Sequence, residues 1–207
     1  MIRKNDTARQ ALPRMSYEDF LAWDGANPHV EWVNGEVVPM PPVGNIHQDL
    51  KGFLLSVVRT YVSYRKLGAV RDDPFQMKAG PGLPSRAPDI QFISKRRLSR
   101  LRENFYDGPA DLVIEITSPA SRVVDRGEKF YEYEQAGVRE YWLLDPLRKQ
   151  AEFYRLGRDG VFHPVSLDAH GIFRTSVIKG LWISLDWLWQ IPLPSEIEVF
   201  KAWGLLD

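Results

Sequence analysis

The run Leu112-Val113-Ile114-Glu115-Ile116 carries an apolar side chain at four of its five positions. Side chains alternate between the two faces of a strand, so a nearly continuous apolar run reads as a strand buried on both sides. A strand of that kind belongs inside a sheet with other elements packed above and below it. Glu115 is the exception in the run. A carboxylate in an apolar layer costs several kcal/mol unless it is protonated, paired or bound to a metal.

The chain around this strand alternates helical and extended signals. Ser16, with Asp19 three residues on and aromatics at Tyr17, Phe20 and Trp23, predicts a short capped helix. Asn34-Gly35 between two apolar runs predicts a β-hairpin. Leu50, Phe53, Leu54, Val57, Val58 and Tyr61 recur at helical spacing and predict one long amphipathic helix from Ile46 to about Arg65. Extended segments follow at "GAVRDDPFQMKA" and "PDIQFIS", separated by the loop "GPGLPSRA". The basic segment "KRRLSRLRENF" then leads into the buried strand. One helix is expected from near Val123 through "DRGEKFYEYEQA" to a cap at Gly137, and then the strand "REYWLLDP". Short strands and turns fill the remainder, with Trp182, Trp187 and Trp189 as core of a C-terminal extension. The fold class expected is a mixed α/β sheet flanked by helices, with a hairpin in front and a β-rich extension behind. Residues 1–13 are expected to be frayed, 14–190 to form one domain, and 191–207 to be a tail.

Composition narrows the chemistry. The 207 residues contain no cysteine, which excludes disulfides, thiol catalysis and cysteine-based zinc sites. The four histidines, His29, His47, His163 and His170, show no metal-binding spacing. Lys+Arg and Asp+Glu both number 27, so nucleic-acid binding would have to rest on a local patch. No apolar run has the length of a membrane helix and no signal-type segment follows the polar start, so a soluble cytoplasmic protein is expected. Zero net charge and an exposed hairpin are compatible with a homodimer.

Three acidic residues fall on predicted strands: Glu31 on the hairpin, Asp89 at the head of "PDIQFIS", and Glu115. Carboxylates brought together repel one another unless a cation holds them. A hard divalent ion held by carboxylate, carbonyl and water is the usual answer, and Mg²⁺ fits. Lys129 is a protein cation at the right height. Glu115 lies roughly 7 Å below the strand end at strand rise, and Lys129 lies roughly 9 Å up the returning helix. A lysine there could position a nucleophilic water and stabilise charge on a phosphoryl oxygen.

Asp89 followed by Glu115-Ile116-Thr117 resembles the PD-(D/E)xK nuclease motif, in an element order α-β-β-β-α-β. "EWVNGEVVPM", "HQDL", "PDIQFIS", "DLVIEITSPAS" and "DRGEKFYEYEQAGVREYWLLDP" together resemble the Uma2 family of restriction-endonuclease-like proteins, over about Ser16 to Leu188. The resemblance implies a restriction-endonuclease-like core and a metal-dependent endonuclease acting on DNA. Asp89 and Glu115 would ligate Mg²⁺ (with Mn²⁺ as substitute), and Glu31 would be a further acidic member of the site. The motif's lysine is replaced by Thr117, and in this family it looks relocated to the following helix, here Lys129. His47 and Gln48 are implied to lie near the active site. Lys95, Arg96, Arg97, Arg100 and Arg102 could contact DNA phosphates. Against this stand a structural Glu115–Lys129 ion pair, a catalytically silent binding module for nucleic acid or protein, and a carboxylate-pair glycosidase.

Overall fold

The computed structural model describes residues 13–25 and 29–206. Its main sheet has six strands. In chain order they are β3 (Gly68–Asp72), β6 (Ile90–Ser94), β8 (Leu112–Ile116), β9 (Glu140–Asp145), β10 (Gln150–Leu156) and β11 (Phe162–Pro164). The spatial order is β11-β10-β9-β8-β6-β3. β3, β6 and β8 pair antiparallel, and β8 runs parallel to β9 across a helical connection. All five residues of β8 and all six of β9 are buried, as a strand covered on both faces requires.

The alternation of β8 sorts the interior into two cores. Leu112, Ile114 and Ile116 pack with the long helix α2 (Asn45–Tyr64), whereas Val113 faces Met77, Tyr106, Tyr133 and Tyr141 on the other side. Glu115 shares the face of Val113 by period two. The helical connection is broken, where one continuous helix was expected. α3 (Arg122–Arg126) ends at Gly127 and α4 (Glu128–Ala136) begins there. A Cβ built on Gly127 would stand 2.9 Å from the Val123 carbonyl oxygen, so the bend closes only over a glycine.

The hairpin, β1 (Val30–Val33) and β2 (Glu36–Pro39), turns on Asn34 and Gly35, which have φ of 52° and 88°. Positive φ at both positions is what a tight hairpin of this hand demands. The hairpin does not stand alone in front of the core. It joins a second sheet of order β2-β1-β5-β4-β7, built with β4 (Gln76–Lys78), β5 (Ser85–Arg86) and β7 (Phe105–Asp107). The extended segment 68–79 is thus divided: a turn closed by the Phe75 amide on the Asp72 carbonyl sends its first half to one sheet and its second half to the other. The loop "GPGLPSRA" contains β5. The predicted helix start is also found, with the Ser16 hydroxyl accepting from the Asp19 amide at the head of α1 (Tyr17–Leu21).

The C-terminal part is β-rich, as expected. β10 and β11 continue the main sheet, and β12 (Ile172–Arg174) and β13 (Trp182–Ser184) form a small ribbon beside it. Part of "LWISLDWLW" is a 3₁₀ helix, Leu185–Trp189. The tail expected at 191–207 instead holds α5 (Glu196–Ala202), opened by a Ser195–Glu198 capping box. The apolar positions Val199 and Trp203 place one face of α5 on α2, with the Trp203 ring edge-on to Tyr61 at 5.1 Å. Residues 1–12 of the segment expected to be frayed lie outside the described residues. Among the described residues no helix is long and apolar enough to cross a membrane.

Because Trp203 closes the main core, Trp203→Ala should lower unfolding free energy by about 3 kcal/mol. Urea unfolding followed by far-UV circular dichroism measures this. An unchanged midpoint would return residues 191–207 to the status of a loose tail.

Candidate active site

The antiparallel register pairs Ile90 with Ile114. One step further, Asp89 stands across from Glu115, and opposed residues of an antiparallel pair share a face. The Asp89 carboxylate is held at that position from two sides. Its Oδ2 accepts from the Ile116 amide at 2.7 Å, and its Oδ1 lies 3.2 Å from His47 Nε2. His47 enters from the first turn of α2, and its buried Nδ1 has no hydrogen-bond partner.

Lys129 comes down from α4 onto the same spot. Its ammonium lies 3.1 Å from Glu115 Oε1, 3.3 Å from Glu31 Oε1 and 3.5 Å from Asp125 Oδ1. Tyr133, one helical turn on, donates its hydroxyl to Glu115 Oε1 at 2.6 Å. Asp125, Lys129 and Tyr133 are spaced by four and so form one helical row, continued across the Gly127 bend. Glu31 is fixed from the second sheet by Arg86, whose Nη1 donates to Glu31 Oε2 at 2.9 Å, and by the Ala87 amide at 3.2 Å. Arg86 also grips Glu132 on α4 through Nε and Nη2, both at 2.7 Å.

Apart from Tyr133, Ala87 and Glu132, these groups line one cavity of about 290 Å³. Glu31, Asp89, Glu115 and Lys129, named from the sequence, all reach it, as does His47. Gln48 is exposed on α2 and does not. Arg96, Arg97 and Arg100 do not either, because they belong to the 3₁₀ helix Lys95–Arg100. Arg97 binds Asp111 at 3.2 Å, and Asp111 immediately precedes β8 while Ile116 ends it, roughly 16 Å away at strand rise. Sequence reasoning missed Arg86, Asp125 and Tyr133. The spacing of four around Lys129 could have indicated the last two; Arg86 sits in a two-residue strand of loop composition with no periodic signal.

The charges do not balance. Glu31, Asp89, Glu115, Asp125 and Glu128 line the cavity against Arg86 and Lys129 alone, and Arg86 is shared with Glu132. Burial, only partly offset by Lys129 and reinforced by Asp125 and Asp89, pushes the Glu115 carboxyl up to about 8. Burial likewise raises Asp125 despite Lys129. Glu31 is buried too, but Lys129 and Arg86 hold it below the usual carboxylate range. Burial alone would pull the Lys129 ammonium down; Glu115, Glu31, Asp125 and Asp89 instead raise it well above its ordinary value.

Two expectations follow for the metal-free protein. Glu115 is protonated in the fold up to about pH 8 but ionises near 4.5 when unfolded. The stability it contributes is therefore complete below that lower value and is lost as pH rises through about 8. Thermal melts between pH 5 and 9 in EDTA should fall across this window, and Glu115→Gln should flatten the curve; a slope unchanged in the variant would remove Glu115 as its cause. Lys129→Met strands three carboxylates at once and should destabilise by about 3–5 kcal/mol near pH 8, less at pH 5 where protons replace the ammonium. An equal loss at both pH values would contradict this charge assignment.

The Uma2 family model, described as "Putative restriction endonuclease", matches residues 17–186. A crystal structure described as "a putative nuclease belonging to DUF820" from Anabaena variabilis is similar to this chain at TM-score 0.69 and 20% identity, covering 84% of this chain and 97% of that one. Among curated proteins none matches. With α2, then β3, β6 and β8, then the α3–α4 connection and β9 in this order, the core has the restriction-endonuclease-like fold, and the chain belongs to the Uma2 family.

Proposed function

We propose that the protein is a Mg²⁺-dependent endonuclease that hydrolyses DNA phosphodiester bonds, with Mn²⁺ as a working substitute. The observation that carries this reading is the meeting of Asp89, Glu115 and Lys129 in one cavity where carboxyl groups outnumber cations. A carboxyl that burial pushes up ionises again when a cation binds beside it. The donors are oxygens, which suits a hard ion. Among the described residues no group of three His, Asp or Glu side chains forms a complete metal site. Asp89 and Glu115 would therefore hold the ion together with backbone carbonyl and water. When bound, such an ion supplies Lewis-acid charge stabilisation at the phosphoryl oxygens.

The chain's own groups do the rest. The Ile116 amide and His47 Nε2 fix the Asp89 carboxylate on its two sides. Tyr133 and Lys129 orient Glu115 through Oε1. By giving up its 3.5 Å contact with Asp125, the Lys129 ammonium can donate to the attacking water and hold it in line with the scissile phosphate. Glu31 shares that ammonium and tethers its position to the second sheet. The basic residues at 95–102, at the far end of β8, would serve DNA only as a remote contact.

The rival reading is a nuclease-like fold that only binds, and it leaves the carboxylate excess unexplained. A binding module gains nothing from burying charges that destabilise it. Glu115→Gln should abolish Mg²⁺-dependent cleavage of plasmid and oligonucleotide DNA while retaining the native circular dichroism spectrum. The same change should remove the heat of Mn²⁺ binding in calorimetry. Wild-type protein that neither binds Mn²⁺ nor cleaves any DNA would sink the proposal.

A further inference from the structure

The proposed site is built for a strand whose bases are not paired. Its two candidate metal-holding carboxylates form a deep floor: Glu115 is 3% exposed and Asp89 7%. The same cavity is lined by apolar side chains: Val38 of β2, Met40, Pro41 and Val43 of the segment joining β2 to α2, and Val124 of α3. A cavity of about 290 Å³ lined by both carboxylates and apolar side chains is the size of a single nucleotide.

The distribution of cations points the same way. A paired duplex is gripped by lysines and arginines that neutralise its closely spaced phosphates. Both cations lining this slot are spent on carboxylates, Lys129 on Glu31, Glu115 and Asp125, Arg86 on Glu31 and Glu132. The nearby arginines of α3 are also engaged, Arg122 with Asp145 and Arg126 with Glu152. At the mouth the Glu128 side chain is 68% exposed, which repels a phosphate-dense surface. The basic positions around 95–102 lie at the other end of β8. What the slot does offer is apolar surface for a base, of the kind that seats unstacked nucleotides.

Resting on the nuclease reading above, we infer that the substrate class is single-stranded or locally unpaired DNA. One base would lie against Met40 and Val43 while its phosphate meets Asp89 and Glu115. In an intact duplex that base would first have to be unstacked and flipped, a penalty an unpaired strand does not carry.

The test uses the full chain with Mn²⁺ and one fluorescein-labelled oligonucleotide in three forms: single strand, blunt duplex, and the duplex with a central unpaired bubble. Single strand and bubble should be cleaved at least about tenfold faster than duplex, with bubble cuts inside the unpaired stretch. Equal or faster cleavage of the blunt duplex overturns the inference and leaves the nuclease reading standing. If no form is cleaved, the nuclease reading fails, and fluorescence anisotropy with Ca²⁺ decides the substrate class separately. Tighter binding of the single strand upholds it there; no preference, or no binding, overturns it. In the same assay Met40→Ser with Val43→Ser should weaken single-strand binding roughly tenfold without altering its salt dependence. Val43→Ser alone, at an exposed position, should give a smaller loss in the same direction. Unchanged affinity in both variants removes the proposed seat for the base.

Discussion

The Lys129 ammonium is the interaction on which the site depends. It is buried, and a buried ammonium is tolerable only while its neighbours keep it charged and hydrogen-bonded. Those neighbours come from three separate pieces of chain: Glu31 from the hairpin, Glu115 from the central strand, and Asp125 from the short helix before its own. One side chain thus fixes the second sheet, the main sheet and the α3–α4 bend relative to one another. The geometry at the end of β8 is a consequence of that junction.

The bend matters because it sets the direction from which the lysine arrives. Thr117 has the same parity as Glu115, so a lysine at that position would approach along the strand, as in the parent nuclease motif. Here Thr117 is buried, with its amide bound to the Leu144 carbonyl at 2.7 Å, and the ammonium descends from the helix instead. Breaking the helix at Gly127 lets Asp125 and Lys129 face each other across the junction while Tyr133 reaches Glu115 from the next turn. A lysine on the helix therefore comes with its own supporting row, which a strand lysine would lack.

Much of this was legible in the sequence. Asn34-Gly35 specified the hairpin because only such residues accept positive φ twice in succession. The apolar spacing of α2 and the run at Leu112–Ile116 specified a helix and a strand buried on both faces. Comparing strand rise with helix rise brought Lys129 to Glu115 without knowledge of the interior. What stayed hidden was long-range pairing among very short strands. β5 has two residues and β4 three, too few to show a period, so neither the second sheet nor the position of Arg86 could be read locally. α5 was hidden for a related reason: seven residues with two anchors, Val199 and Trp203, read as a tail until α2 is there to receive them. The arginines at 95–102 marked a basic segment correctly but not its place, since position along β8 depends on the register of three strands.

The second sheet contributes more to the site than Glu31. Arg86 joins Glu31 of β1 to Glu132 of α4, and its adjoining residue Ala87 gives its amide to the same glutamate. A planar guanidinium with several fixed donors is suited to such a bridge in a way a lysine is not. Lys129 and Arg86 consequently divide the work of holding the seam between the sheets. Arg86 neutralises Glu31 and Glu132, and Lys129 meets Glu31, Glu115 and Asp125. Glu31, served by both cations, is held below the usual carboxylate range, while burial pushes Glu115 and Asp125, which have Lys129 alone, toward their protonated forms. The carboxyl groups without a second cation are thereby concentrated at the end of β8 beside Asp89, where an added cation would meet two carboxylates from neighbouring strands.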